Sequence, residues 1–129
     1  MISFIIIGKN EGWKLTNCLE SIFLTIKYNN LKKFEVIYLD SNSNDDSLER
    51  VQKFKKTKII KLTGYCNAAV ARNIGASESS GDFLFFIDGD MQINKKTFSL
   101  LYTEVNGLKY SFCCGNFINY NYSDSWKLL

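Results

Sequence analysis

Two aspartates separated by one glycine, Asp88 and Asp90, follow directly after the apolar run Phe83 to Ile87. Carboxylate oxygens are the ligands that magnesium and manganese prefer, and magnesium usually takes one or two protein carboxylates together with phosphates and water. The triplet Asp88-Gly89-Asp90 therefore fits a divalent cation that also contacts phosphate groups. Alone it is weak evidence, because acidic residues are common at turns.

Asp40 and Arg72 are two further charged residues that could bind a ligand. Asp40 ends the apolar run Phe34 to Leu39 and precedes the polar turn SNSNDD. Its carboxylate can accept an N–H from a ligand, or it can open a turn of the Asx type. Arg72 lies in the alanine-rich segment from Asn67 to Ser79. Its guanidinium can bind phosphate through a planar fork of donors, or it can remain a solvated helix charge.

The apolar pattern predicts strands that alternate with helices, which indicates an α/β fold with a mostly parallel sheet and helices on both faces. Such sheets bind ligands at the carboxyl ends of their strands, in a crevice where the strand order reverses. We therefore expect Asp40, Asp88 and Asp90 to lie at that crevice. The predicted strands are Ile2 to Ile7, Phe34 to Leu39, Lys58 to Leu62, Phe83 to Ile87 and Tyr110 to Tyr120. The predicted helices run from about Glu11 to Tyr28, through Leu48, Val51 and Phe54, from Asn67 to Ser79, and from the cap Asn94 through Phe98, Leu101 and Val105.

Composition and missing motifs exclude several classes of protein. The stretch GKNEG after the first strand does not match GxGxxG, and no GxxxxGK[ST] loop is present, so no glycine-rich loop is predicted to hold phosphates. A net charge of +3 is too small to indicate binding to nucleic acid or to an anionic membrane. There is no histidine, and the four cysteines form no CxxC pair. We predict reduced core cysteines in a cytoplasmic protein without a signal peptide or a spanning segment.

Four segments occur in an order that resembles the nucleotide-binding half of family 2 glycosyltransferases of the GT-A fold. They are FIIIGKNEG, LDSNSNDD, NAAVARNIGAS and GDFLFFIDGD. The resemblance covers roughly residues 2 to 120 and implies a single nucleotide-sugar-binding domain over residues 1 to 129. It also implies that this domain is truncated before the acceptor-binding part.

The resemblance gives roles to six residues. Asp40 matches the aspartate that accepts a hydrogen bond from the base, usually uracil, and Arg72 matches an arginine near the base and diphosphate. Asp88 matches the first aspartate of the DxD motif, near the ribose and a metal-bound water. Asp90 matches the second, the direct ligand of manganese or magnesium. Asn10 and Glu11 match the edge of the nucleotide pocket that follows strand one.

Two features depart from the family pattern. Many members carry proline where this chain has Gly8. The catalytic base of the family, commonly a carboxylate, lies well beyond the DxD motif, and neither Glu104 nor Asp124 matches it. We therefore expect the base to lie outside this chain.

The resemblance implies the donor-binding domain of an inverting glycosyltransferase. The expected partners are a nucleoside diphosphate sugar, most simply a UDP-sugar, and a carbohydrate or lipid-linked acceptor. Nucleic acid is not an expected partner. The chain is expected in the cytoplasm, with peripheral membrane association through a missing region. A non-catalytic module that binds nucleotide and metal is the alternative. A receiver-type signalling domain is disfavoured, because the third strand ends in LTGYCN without a phosphoacceptor aspartate.

Overall fold

Strands and helices alternate along residues 1–116 and 118, which are the residues that the computed structural model describes. The main strands are β1 (Ile2–Gly8), β2 (Phe34–Asp40), β3 (Thr57–Lys61) and β4 (Phe83–Asp88). The helices are α1 (Trp13–Tyr28), α2 (Ser47–Val51), α3 (Ala68–Ser77) and α4 (Lys95–Leu101). A hairpin of two short strands, β5 (Tyr102–Thr103) and β6 (Gly107–Leu108), follows α4.

The four main strands form one parallel sheet in the order β3-β2-β1-β4. Strand β1 is central and its residues Ile2 to Ile7 are buried, because helices cover the sheet on both faces. Strands β2 and β3 follow one another on one side of β1, and β4 lies on the other side of β1. The strand order therefore reverses between β1 and β4, where a sheet of this kind opens a crevice.

Alternate residues of β1 pack against different helices. Phe4 and Ile6 belong to a core cluster with residues of α1, α2 and α4, whereas Ile5 and Ile7 belong to a cluster with α3. Gly75 brings α3 close to the sheet, because a Cβ there would lie 2.4 Å from Ile5 Cγ2. The predicted α/β fold with helices on both faces is confirmed.

Three elements differ from the sequence prediction. Helix α2 ends at Val51, and Phe54 lies in the following turn, where its ring stacks on Phe23 at 5.8 Å. Helix α4 begins after its predicted cap, Asn94, but ends at Leu101, so that Val105 lies in the hairpin turn. The strand predicted from Tyr110 to Tyr120 is wrong over residues 110–116, which form no strand. Residues 117, 119 and 120 of that prediction lie outside the described residues.

Burial also departs from expectation in two places. Cys18 is buried in the core, but Cys114 is exposed, and Cys66 and Cys113 are only half-buried, so the prediction of core cysteines holds for Cys18 alone. All four cysteines are free thiols.

Among the described residues, β4 pairs only with β1, and Leu84 is left exposed on this edge strand. No helix in the described part of the chain is long and apolar enough to span a membrane.

Candidate functional site

The register of the sheet brings the carboxyl ends of β1, β2 and β4 to the same edge. Gly8 pairs with Asp40 on one side of β1, and Ile7 pairs with Asp88 on the other. The chain then continues this pairing by one residue, because Gly89 N–H donates to the Ile7 carbonyl at 2.8 Å. The charged residues that end β2 and β4 therefore flank the end of the central strand.

Arg72 and Asp88 meet across this edge. Helix α3 begins after its N-cap residue Asn67, whose side chain accepts a hydrogen bond from Val70 N–H, and Arg72 lies about one turn later. The Arg72 Nη2 atom lies 2.8 Å from Asp88 Oδ1, and both side chains remain about two-fifths exposed. Arg72 is thus not merely a solvated helix charge: it carries positive charge to the end of β4 and keeps donors free for an anion.

Asp40 is almost completely buried, with only 1% of its surface exposed. Its Oδ1 accepts a hydrogen bond from the Tyr38 hydroxyl at 3.0 Å, and its Oδ2 accepts one from Ser43 N–H at 2.8 Å. Burial and the neighbouring Asp40 charge raise the pKa of Tyr38, so Tyr38 stays protonated and donates. The turn-forming role of Asp40 is therefore realised. Each carboxylate oxygen keeps a second lone pair that can accept a further N–H.

Asn10 lies in the loop between β1 and α1 and contacts the loop between β2 and α2. Its N–H donates to Ser43 Oγ at 2.9 Å, and its Oδ1 accepts from Asn44 N–H at 2.8 Å. Asn10 was predicted to bind substrate. In the structure its hydrogen-bond partners are residues of the neighbouring loop. Helix α2 follows with Asp46 as its N-cap residue, which makes no side-chain capping bond, and Ser47 N–H donates to Asp45 Oδ1 at 2.9 Å.

Glu11 occupies the space between the ends of β1 and β4. A Cβ on Gly8 would lie 3.0 Å from Glu11 Cγ, and a Cβ on Gly89 would lie 3.2 Å from the same atom. The absence of a side chain at these two glycines therefore leaves room for the Glu11 side chain. Burial, reinforced by the charge of Asp90, raises the pKa of the Glu11 carboxyl.

The acidic groups at this edge fit a hard divalent cation. Asp90 is exposed just past the strand end, Asp88 is half-buried, and Glu11 feels the charge of both. In the described part of the chain, no three histidine, cysteine or acidic residues form a ready-made metal cluster. A magnesium-type site needs only one or two protein carboxylates and completes its shell with phosphates and water. The donor set of Asp90 and Asp88 therefore fits such an ion together with a diphosphate ligand.

Three residues of this edge were not singled out from the sequence. Tyr38 and Ser43 hold the two oxygens of Asp40, and Cys18 lies beneath the acidic end of β4, with its Sγ 3.7 Å from the Asp88 carbonyl oxygen. Ser43 could have been found from the serine- and asparagine-rich turn after Asp40. Tyr38 and Cys18 carry no such signal, because their spacing predicts only core positions.

Comparison with known proteins finds glycosyltransferases among the similar sequences and structures. The model of the family described as Glycosyl transferase family 2 matches residues 3–128. The glycosyltransferase GlyG of Streptococcus pneumoniae is 29% identical over 128 residues, which cover 96% of this chain and 41% of GlyG. The chain thus spans less than half the length of this relative.

Solved structures agree on the fold. TarS of Staphylococcus aureus in complex with UDP-GlcNAc is 27% identical with a TM-score of 0.61, and the match covers 76% of this chain and 29% of TarS. A mannosyltransferase from Pyrobaculum calidifontis, in complex with GDP-Man and Mn2+, is 19% identical with a TM-score of 0.64. That match covers 76% of this chain and 30% of the mannosyltransferase, and it shows the shared fold alone.

Proposed function

This chain belongs to glycosyl transferase family 2, and we propose that it is the donor-binding part of an enzyme that transfers a sugar from a UDP-sugar to an acceptor hydroxyl with inversion. The observation that carries the proposal is that Asp40, Asp88 and Asp90 lie at strand ends along one edge of the sheet, where Arg72 pairs with Asp88. That edge combines an acceptor for a base, a cation for phosphate and carboxylates for a metal ion.

Donor binding follows from the chemistry of these side chains. The free lone pairs of the Asp40 carboxylate can accept the imide N–H of uracil. The remaining donors of the Arg72 guanidinium can bind an oxygen of the diphosphate, since Asp88 engages only part of the fork. The TarS structure contains UDP-GlcNAc at 27% identity to this chain, which supports a uridine nucleotide as the ligand.

Asp90, with Asp88, would hold manganese or magnesium. When bound, the cation supplies positive charge that stabilises the departing diphosphate. Arg72 contributes a fixed positive charge at the same edge, and this charge favours the leaving group as negative charge develops on it. Glu11 interacts with the charges of Asp90 and Asp88, and when ionised it adds negative potential that favours a cation at this edge.

The acceptor hydroxyl would attack the anomeric carbon from the face opposite the diphosphate, which gives inversion. Glu104 is not a suitable base, because its Oε1 accepts the N–H groups of Lys32 and Lys33 beside the amino-terminal end of β2. Asp124 lies outside the described residues. The proposal therefore places the base outside the described part of the protein. A carbohydrate or lipid-linked acceptor and a cytoplasmic location belong to the same proposal.

Calorimetric titration with UDP, with and without manganese, tests the proposal. We expect binding that manganese strengthens, and we expect Asp90→Asn to lose that dependence on the metal. Asp82→Asn is the matched control, because Asp82 pairs with the amino terminus at the other end of β4. Failure of the native chain to bind UDP under either condition would refute the proposal.

A second experiment separates catalysis from binding alone. If UDP and manganese bind, incubation with UDP-sugars followed by chromatography shows whether the donor is cleaved or transferred. Binding without turnover, even in a longer form of the protein, would favour the non-catalytic module.

A further inference from the structure

We propose that Asn10 is a positioning residue for base recognition, and that it acts on Asp40 by holding Ser43 and Asn44 in the neighbouring loop rather than by contact with the nucleotide. The inference rests on the proposed function, since it concerns how the base site of a UDP-sugar is held. It changes the role expected for Asn10 from a substrate contact to a clamp between two loops.

The clamp consists of hydrogen bonds between the loop after β1 and the loop after β2. Asn10 contributes two of them, as donor to Ser43 Oγ at 2.9 Å and as acceptor from Asn44 N–H at 2.8 Å. A third runs from Gly12 N–H to Ser47 Oγ at 2.9 Å. Residues distant in sequence by more than 30 positions are thereby held at a fixed separation.

The clamp reaches the base site through one residue. Ser43 accepts from Asn10 with its hydroxyl and donates its own N–H to Asp40 Oδ2 at 2.8 Å. The other oxygen of Asp40 is held by Tyr38. The direction of the free lone pairs of Asp40 therefore depends on where Ser43 lies, and Asn10 holds Ser43 through its hydroxyl oxygen.

The backbone at Asn10 explains why an asparagine suits this position. Its φ of 55° lies in the left-handed region, which asparagine tolerates better than most residues that have a side chain. In this conformation the N–H and the side-chain oxygen of one residue both reach the neighbouring loop. Glycine would keep the backbone and lose the Oδ1 acceptor, whereas aspartate would keep both the acceptor and the tolerance.

Comparison of UDP with CDP separates positioning from direct contact. The ring nitrogen of uracil at position 3 carries a hydrogen that Asp40 can accept, whereas the same nitrogen of cytosine has none and repels a carboxylate. Ribose and diphosphate are identical in the two ligands. A residue that touches those groups changes both affinities by the same factor, and a residue that positions Asp40 changes their ratio.

The experiment measures the Kd of UDP and CDP, with manganese, for the native chain and its variants. We expect Asn10→Gly to lower the preference for UDP over CDP by roughly tenfold, in the direction of Asp40→Asn, and Asn10→Asp to keep the preference even if both affinities fall. Asn10→Gly removes the acceptor of Asn44 N–H but keeps the backbone N–H that donates to Ser43 Oγ, whereas Ser43→Ala removes the acceptor of that N–H. Each variant breaks one of the two bonds of Asn10, and we expect both to lower the preference, which keeps the test valid if one variant does not fold. Asn30→Gly is the matched control, because Asn30 has a φ of 51° but follows α1 at the opposite edge of the sheet.

The possible outcomes distinguish the inference, base recognition by Asp40 and the proposed function. An unchanged preference in folded Asn10→Gly and Ser43→Ala, or an equal loss for both nucleotides, overturns the inference and leaves the proposed function standing. Equal affinity of the native chain for UDP and CDP overturns both base recognition by Asp40 and the inference. Absence of any UDP binding overturns the proposed function itself.

Discussion

The Arg72 guanidinium and the Asp88 carboxylate lie 2.8 Å apart and join helix α3 to the end of strand β4. Both side chains are about two-fifths exposed. An ion pair at that exposure contributes only about 0–1 kcal/mol to stability. Its importance therefore lies in the place where it holds a positive charge, beside the carboxylates that fit a cation.

Replacement of Arg72 by glutamine is expected to weaken UDP binding by roughly tenfold, because a charged hydrogen bond to phosphate is lost. The melting temperature should hardly change, since the pair is partly solvated. Calorimetry and thermal unfolding measure the two effects. Arg50→Gln is the matched control: Arg50 also pairs with an aspartate, Asp46, at 2.7 Å, but it does so along helix α2 and away from the end of β4. Equal losses in UDP affinity for the two variants would show that Arg72 has no special role.

Much of this arrangement could be predicted from the sequence, because apolar runs that stop at charged residues mark both the strands and their ends. Asp40 and Asp88 lie where that logic places them. The length of α2 could not be predicted, since Phe54 has the spacing of a helical core residue but reaches the core from a turn. The periodicity of apolar residues indicates which side chains are buried. It does not show whether the backbone at those positions is a helix or a turn.

The failed strand prediction after Tyr110 has a different cause. A strand forms only where a neighbour supplies hydrogen bonds, and sequence pattern alone does not identify that neighbour. Within residues 110–116 no such pairing forms, and Phe112 is 84% exposed. The contact between Asn10 and Ser43 was equally hidden, because these residues lie on separate loops 33 positions apart in sequence.

Gly75→Ala is expected to destabilise the fold, although alanine normally favours a helix by about 1 kcal/mol over glycine. The added Cβ would lie 2.4 Å from Ile5 Cγ2 and 2.9 Å from Leu39 Cδ1. Both neighbours are fully buried, so they cannot move aside cheaply, and overpacking costs about 1–3 kcal/mol. We expect the melting temperature to fall by roughly 3–8 °C.

Gly115→Ala provides the control for this substitution, because a Cβ at Gly115 would meet no atom of the described residues within 4 Å. Its melting temperature should equal that of the native chain. If Gly75→Ala were instead more stable than the native chain, α3 would not pack against the sheet as closely as described.

Cys18 is expected to resist thiol reagents in the folded protein. It is completely buried, and burial, aided by the charges of Asp90, Glu11 and Asp88, raises the pKa of its thiol to about 12. Cys114 is exposed. At pH 8 we expect Cys18 to react at least roughly a hundredfold more slowly than Cys114, since only the thiolate is nucleophilic.

Peptide mapping by mass spectrometry after timed labelling measures these rates. Unfolding in guanidinium should abolish the difference, and Cys18→Ala should remove only the slow fraction. Rapid modification of Cys18 in the native chain would contradict its burial beneath the end of β4.

Glu11→Gln is expected to stabilise the metal-free protein at neutral pH. Burial and the Asp90 charge raise the pKa of Glu11 above its ordinary value of 4.5 in the folded state. The folded chain therefore holds this proton more tightly than the unfolded chain does, and stability falls as the pH rises from 4.5 through the raised pKa. Glutamine does not ionise and avoids that loss, so we expect its melting temperature at pH 7 to be higher than that of the native chain.

Thermal unfolding from pH 3 to pH 8, in the presence of a chelator, tests the sign of this effect. The advantage of Glu11→Gln should disappear below about pH 4, where Glu11 is protonated in both states. Glu78→Gln should behave in the opposite way, because Lys58 lowers the pKa of Glu78. That variant should be slightly less stable than the native chain at neutral pH and equal to it in acid. A Glu11→Gln variant that is less stable at pH 7 would mean that the ionised carboxylate is favourably held between β1 and β4.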